Sequence, residues 1–355
     1  MKQILCAVFL FGVISGLVAG EHRRTAGDPF AMKNLTVTAK APELLPAARI
    51  LAGLLGKIYR CEVQVGDNGN VILATAKFKN PQSYEIQTSK PALTIRAGSA
   101  DGARFAVSDL VRELGYRHYF PTAEWEIVPA APPAELSLNV REEPDYLSRR
   151  IWPGWGLWPD YRKAGDNDAE WNAANRLGGV SVNTGHAYDR FIQRNRRAFE
   201  EHPEYYALRE GERKGSKLCI SNPGLRKLFC DYAVDAFRQD PKRESFSADP
   251  SDGGGWCECE ACAVLGSPSD RAVMLANAAA EAVNTEFPGK IIGMYAYNMH
   301  SPPPSIKVHP QVVINVATAF IKEGWTVDQL IEGWEKQGAV IGIREYYYAG
   351  PRPGE

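Results

Sequence analysis

An excess of charge of either sign is missing from this chain. Its 355 residues carry 41 Lys plus Arg against 42 Asp plus Glu, a formal net charge of −1. No basic patch or polybasic tail stands out, which argues against nucleic acid and anionic membranes as partners. Long apolar runs are also scarce. The only one lies at the start, where Lys2 precedes an apolar stretch at residues 4–18 and Val18-Ala19-Gly20 follows with small residues. That pattern fits a secretory signal peptide over residues 1–20 better than a membrane span. The expectation is an exported protein, periplasmic or extracellular, with no membrane attachment after cleavage. No glycine-rich phosphate turn follows any early strand, which removes the usual mark of a nucleotide-binding open sheet. No Asp-Glu or Asp-Asp dipeptide occurs anywhere.

What is present is ordinary in bulk and specific in places. Hydrophobic residues make up 45% of the chain, enough for a core, and the length suggests about two domains. Residues 30–140 read as a small α/β (α+β) domain. Apolar residues at Leu44, Leu45, Ala48, Leu51, Leu54, Leu55 and Ile58 follow helical spacing over residues 42–59. Short strands are expected near 35–38, 61–65 and 71–75, a hairpin at 84–88 and 92–96, and a second helix at 100–114 closed by Gly115. A Pro/Ala-rich linker is expected at 129–133.

Residues 145–355 have another rhythm. Strand-like runs near 148, 179, 217, 244, 291, 312 and 340 alternate with helical stretches, the pattern of a parallel sheet. A TIM-type (β/α)₈ barrel fits best. Such a barrel takes about 250 residues, more than the chain holds past residue 144. It is therefore expected to be incomplete at the C-terminus.

In such a barrel the chemistry sits at the C-terminal ends of the strands. Those ends carry Trp152 and Trp155, His186 and Asp189, Asp249 and Asp252 with Trp256, Tyr297 and Asn298, and Glu345. Carboxylates with histidine, amide and aromatic faces suit a carbohydrate site, since glycoside hydrolysis takes two carboxyl groups and aromatics pack on sugar rings. Asp252 is the candidate acid, because the glycines after it admit a sugar closely; its alternative is a turn residue. Glu345 is the second carboxyl candidate, or else half of an ion pair. Asp249 precedes Pro250 and reads as turn chemistry. His186, Asp189, Trp152, Trp155, Tyr297, Asn298 and Trp256 are the binding candidates. Arg150, Arg162 and Arg344 are the arginines available to a uronate.

Six of the seven cysteines remain once Cys6 leaves with the signal. Cys257, Cys259 and Cys262 form C-x-C-x-x-C, and Cys219 or Cys230 could complete a set of four. Three alternatives stay open: disulfides bracing the Asp252 loop, which export favours; zinc, which wants four ligands; or buried free thiols. No other cofactor is expected.

Two resemblances add to this reading. Through Ala97-Gly-Ser-Ala-Asp-Gly-Ala-Arg-Phe-Ala-Val-Ser-Asp-Leu, Leu114-Gly-Tyr-Arg-His-Tyr-Phe-Pro and Trp125-Glu-Ile-Val-Pro, residues 34–130 resemble the N-terminal α/β domain that precedes the barrel in α-glucuronidases and β-hexosaminidases. Residues 145–350 resemble a bacterial family of exported proteins with a glycosidase-like barrel, through Gly185-His-Ala-Tyr, His202-Pro-Glu-Tyr-Tyr-Ala-Leu, Leu218-Cys-Ile-Ser-Asn-Pro and Asp252-Gly-Gly-Gly-Trp-Cys-Glu-Cys-Glu-Ala-Cys. The resemblance implies a glycoside hydrolase, α-glucuronidase-like in its N-terminal domain, acting on oligo- or polysaccharide. The alternative is a carbohydrate-binding pseudoenzyme with a cysteine-braced or zinc-bound loop.

Overall fold

The computed structural model of the chain describes residues 23–120, 122–151 and 168–345. The expected signal peptide, Trp152, Trp155 and Arg162 lie outside them. The chain forms two compact units, one ending at Gly179 and the other starting at Val180.

The first unit follows its hydrophobic periodicity. Helix Leu45–Tyr59 buries Ala48, Leu51, Ala52, Leu55 and Ile58, positions that share one face at 3.6 residues per turn. Helix Ala100–Glu113 starts at Ser99, whose hydroxyl accepts from the Gly102 N–H, a cap that satisfies one orphan donor. Gly115 takes φ +92° just beyond the helix end. Both helices contribute to one core with a seven-stranded mixed sheet. Thr36–Ala39, Val71–Thr75 and Ala92–Ala97 run parallel, and Tyr84–Ser89 pairs antiparallel with Ala92–Ala97.

The unit extends further than the expected boundary near 140. Asn139–Glu142, past the Pro/Ala-rich stretch, pairs with Tyr84–Ser89 inside the sheet. Ser148–Arg149, expected to open the barrel, pairs antiparallel with Gly178–Gly179. The Arg149 guanidinium lies 5.1 Å from the Phe105 ring centroid, and Asn175 donates to the His118 carbonyl at 2.9 Å. These contacts tie residues 148–149 and 175–179 to the first unit.

The second unit is built on four parallel strands, Ser245–Ser247, Ile291–Asn298, Val312–Ile321 and Val340–Arg344, side by side in chain order. Val312, Val313, Ile314 and Val316 are consecutive or nearly so, and all are buried, as a sheet covered on both faces requires. Helices Pro223–Gln239, Pro268–Glu286 and Val327–Lys336 belong to the same unit. Capping boxes start the last two, Ser267 with Asp270 and Thr326 with Gln329.

Seven parallel strands are expected from the sequence past residue 145; the described residues of the second unit contain four. The run at 217–221 reads as a third strand, but Glu212–Leu218 folds back antiparallel on Tyr206–Arg209. Glu210 and Gly211 both have positive φ, 51° and 80°, the turn that matches hairpin twist. Of the run at 179–183, Gly179 ends the pair with Ser148, and residues 180–183 form no strand. Instead Ser245 Oγ donates to the Ser181 carbonyl at 2.5 Å and accepts from the Asn183 N–H at 2.6 Å. Ser247 Oγ donates to the Gly185 carbonyl at 3.0 Å. Gly293 faces this segment, and a Cβ there would collide with the Asn183 carbonyl.

One ion cluster stabilises the first unit. Arg24 contacts Asp109 at 2.7 Å, Glu113 at 2.6 Å and Glu142 at 3.0 Å. Asp109 is buried, and Arg24 is 43% exposed. Asp109→Ala should therefore cost about 2 kcal/mol, less than the roughly 3–5 kcal/mol of breaking a fully buried pair. The urea unfolding midpoint of the first unit measures this, and an unmoved midpoint rejects it.

Candidate functional site

Parallel register puts the C-terminal ends of the four strands at one edge of the sheet. The segment after Ser247 carries Asp249, Asp252 and Trp256 there. The end of Ile291–Asn298 brings Tyr297, with His300 just beyond. Val312–Ile321 ends with Phe320, and Glu345 follows Val340–Arg344.

Asp249 is the most enclosed of these groups, with no solvent exposure. Its Oδ1 accepts the Tyr295 N–H at 2.8 Å, and its carbonyl accepts the Ala187 N–H at 2.9 Å. Two histidines flank the carboxylate. His186 Nδ1 lies 3.7 Å from Oδ2, and His300 Nε2 lies 3.8 Å from Oδ1. The turn role expected from Pro250 is thus replaced by a buried carboxylate between two imidazoles. His186 Nδ1 is 3.0 Å from the Pro250 carbonyl. A carbonyl only accepts, so Nδ1 carries the proton and Nε2 is the acceptor of the neutral ring. Asp249 Oδ2, His300 Nε2 and Trp256 Nε1 are buried without a hydrogen-bond partner among the described residues. Such groups are uncommon in folded proteins and mark sites that meet polar ligands.

Asp252 is different. It is exposed, and its Oδ1 accepts from the Gly253 N–H at 2.7 Å and the Tyr297 hydroxyl at 3.2 Å. The Gly253 N–H above all, aided by Tyr297, holds its carboxyl below the usual aspartate range despite some desolvation. Gly253, at φ +71°, has open space around it, so the glycines leave this carboxylate accessible. Asp252 is therefore suited to work as an anion rather than as a proton donor.

Aromatic rings surround these groups. Tyr297 lies 6.0 Å from His186, 6.3 Å from His300 and 5.6 Å from Phe320. Trp256 and His300 meet edge to face at 5.7 Å. Lys217 is buried with Nζ 5.6 Å from the Trp256 ring and donates to the Ser251 carbonyl. Burial pushes its ammonium down to about 8. Asn298 and Phe320 both take positive φ, 50° and 60°. For a non-glycine residue that conformation is held only by its surroundings and clusters at functional positions.

Of the sequence candidates, the structure gathers His186, Asp252, Tyr297 and Trp256. Asp189 is exposed in the first turn of Tyr188–Arg194 without a capping bond, and its charge reaches Lys217. Asn298 shapes the turn after its strand, its carbonyl accepting from the Ser301 N–H at 3.0 Å. Glu345 is exposed and accepts from the Thr318 hydroxyl at 2.8 Å. Lys217 and Phe320 escape sequence reasoning, since nothing in a strand-like run says which side chain turns toward a site. His186 also lines a cleft of about 520 Å³ with Asn183, Arg190, Arg194 and Asp235; Asp252 and Tyr297 do not border it.

The four candidate cysteines also meet. Cys219, Cys257, Cys259 and Cys262 have all their sulfurs within 4.8 Å of one another. Cys230 lies elsewhere, on Pro223–Gln239.

The chain is thus a mixed α/β protein with carboxylates, histidines and aromatics gathered at the C-terminal edge of a parallel sheet. The chain belongs to the family described as Domain of unknown function (DUF4838), which matches residues 120–349. No curated protein matches it. Among solved structures it is similar to a chitobiase from Flavobacterium johnsoniae, at 11% identity and TM-score 0.55, covering 92% of this chain and 58% of that one. It is also similar to the GH20 exo-β-N-acetylglucosaminidase from Vibrio harveyi, at 12% identity and TM-score 0.47, covering 90% and 59%. A third is a β-N-acetylhexosaminidase from Bacteroides fragilis, at 12% and 0.47, covering 93% and 74%. The chain thus spans under two thirds of the Vibrio and Flavobacterium enzymes, and at this identity the likeness to the chitobiase is one of fold.

Tyr297→Phe removes one hydrogen bond to the ionised Asp252, so the Asp252 pKa should rise. A ¹³C carboxyl NMR titration reads this directly, and an unchanged or lower value would sink the assignment.

Proposed function

We propose that the second unit hydrolyses glycosidic bonds in an oligo- or polysaccharide at the C-terminal edge of its parallel sheet. The observation that supports this most is the meeting of Asp252 and Tyr297 with His186, His300 and Trp256. The fold likeness to a chitobiase adds to it.

In this proposal Asp252 supplies the negative charge opposite the oxocarbenium-like centre that develops at the anomeric carbon. Its depressed pKa suits that role better than the acid role expected from sequence. Glu345, after the last parallel strand, protonates the leaving oxygen. Water then supplies hydroxide to the anomeric carbon and returns a proton to the carboxyl pair. His186 Nε2 accepts a sugar hydroxyl, with Asp249 behind the ring. Tyr297, Phe320 and Trp256 offer faces to the sugar. No organic cofactor is required.

The proposal covers glycosidic bonds in general. Chemistry assisted by a substrate acetamido group uses an adjacent acidic pair, and this chain has no Asp-Glu or Asp-Asp dipeptide. The α-glucuronidase reading would rest on Arg344, whose guanidinium lies 6.0 Å from the Tyr295 ring; Arg150 belongs to the first unit. Export from the cytoplasm is part of the same proposal, supported by the apolar run at residues 4–18. Among the described residues, no helix is long and apolar enough to cross a membrane.

Release of sugar from a panel of aryl glycosides and uronic acid-bearing oligosaccharides tests the activity. Asp252→Asn should lower kcat by about 10²–10⁴ while sugar binding survives. Hydrolysis at the wild-type rate in that variant would remove Asp252 from the mechanism. Binding without hydrolysis in the wild-type protein would make it a carbohydrate-binding protein instead.

Asp249→Asn separates a positioning role from a chemical one. It keeps the Tyr295 hydrogen bond but weakens the field on both histidines. KM should rise more than kcat falls, because His186 loses the carboxylate beside it. A fall in kcat with KM unchanged would count against the positioning role.

A further inference from the structure

We infer that Cys219, Cys257, Cys259 and Cys262 bind one zinc ion, which fastens the Asp252-bearing loop to the Tyr206–Leu218 hairpin. The inference stands apart from the proposed glycosidase activity, because it needs no substrate and no turnover.

Geometry carries it. Zinc–sulfur bonds of about 2.3 Å in a tetrahedron place the sulfurs about 3.8 Å apart. The separations found are 3.7 Å for Cys219–Cys259, 3.8 Å for Cys219–Cys262 and 3.4 Å for Cys257–Cys259. Two disulfides would instead gather the sulfurs in bonded pairs at about 2.0 Å. Pairing Cys257 with Cys259 would also close a ring across a single residue. Four sulfurs mutually close, from two separate segments, are the arrangement of a closed tetrathiolate site.

The surroundings fit thiolates. The Leu208 N–H donates to Cys257 Sγ at 3.2 Å, and the Ser221 N–H donates to Cys262 Sγ at 3.4 Å. The Ser221 hydroxyl lies 3.4 Å from Cys219 Sγ and 3.2 Å from Cys262 Sγ. Such outer hydrogen bonds orient metal-bound sulfurs and spread their charge. Arg213, on the same hairpin, is anchored on the Glu204 and Tyr206 carbonyls at 3.0 and 2.9 Å. Its charge offsets part of the double negative charge of a zinc tetrathiolate.

The cysteine cluster has a small core of its own beside the main one, to which Leu218 and Ile220 belong. Its buried members are the cysteines Cys219, Cys257 and Cys262, with Ala207 and no larger side chain. Small, loop-rich pieces of this kind commonly depend on a staple. Lys217 lies two residues before the first ligand and Asp252 five before the second, so the metal would hold both flanks of the site.

The test is metal content of the full chain, purified without chelator. The expected result is about one zinc per chain by mass spectrometry of the metal. In denaturant with chelator and no reductant, all four cluster thiols should then react with a thiol reagent. Cobalt(II) exchanged into the site should give the visible bands of tetrahedral thiolate. Cys259→Ser should lose most of the zinc and lower the thermal midpoint by at least about 5 °C, whereas Cys61→Ser, at an exposed cysteine outside the cluster, should keep it. Should Cys259→Ser fail to fold, zinc and thiol counts on the wild-type chain decide. Disulfide-linked peptides from the four cysteines, or free thiols without stoichiometric zinc, would overturn the inference. Sugar hydrolysis has no bearing on either outcome.

Discussion

The candidate site depends on a carboxylate with nowhere to go. Asp249 is fully buried, and a buried carboxylate must find donors or opposite charge. It takes the Tyr295 N–H on its side chain and the Ala187 N–H on its backbone. Those two bonds lock the strand that carries Tyr297 and the loop that carries His186 to the same point. His186 and His300 then stand on either side of it. Loss of the carboxylate would remove the tie to the Tyr295 N–H and the charge between the two histidines at once.

Around that anchor the structure assigns different electrostatic tasks to two aspartates three residues apart. Asp249 is enclosed and speaks to imidazoles. Asp252 is open and is held as an anion by the Gly253 N–H and the Tyr297 hydroxyl. The same short loop then runs into Trp256 and the cysteines. A residue's role here follows from depth below the surface, which changes within one turn of chain.

Much of this was legible in the sequence and some was not. The helices at 45–59 and 100–113 and the hairpin at 84–97 follow from periodicity and turn residues, which act locally. The four parallel strands also read correctly as apolar runs. Residues 217–221 look no different in composition, yet Lys217 and Leu218 end an antiparallel strand and 219–221 leave it, since strand composition does not encode the partner. The Glu210-Gly211 turn was the clue. Asp249 was hidden behind Pro250, because a turn-like dipeptide says nothing about burial. Phe320 and Lys217 were hidden because a site assembled from separate strand ends has no linear spacing. The cysteines were visible as ligand types, but only proximity selects Cys219 over Cys230 as the fourth member.

Ser245 and Ser247 have a further effect. Ser245–Ser247 is an outer strand of the parallel sheet, and an uncovered outer strand is a template for another chain to add itself. Here two hydroxyls take hold of the 181–185 backbone, and Gly293 leaves room for it to lie close. The cover is made by side chains, so it is specific to this sequence and cannot be supplied by any passing strand. The loop that delivers His186 therefore also acts as a guard against self-association, and changes that loosen it would be felt in solubility as well as in the site.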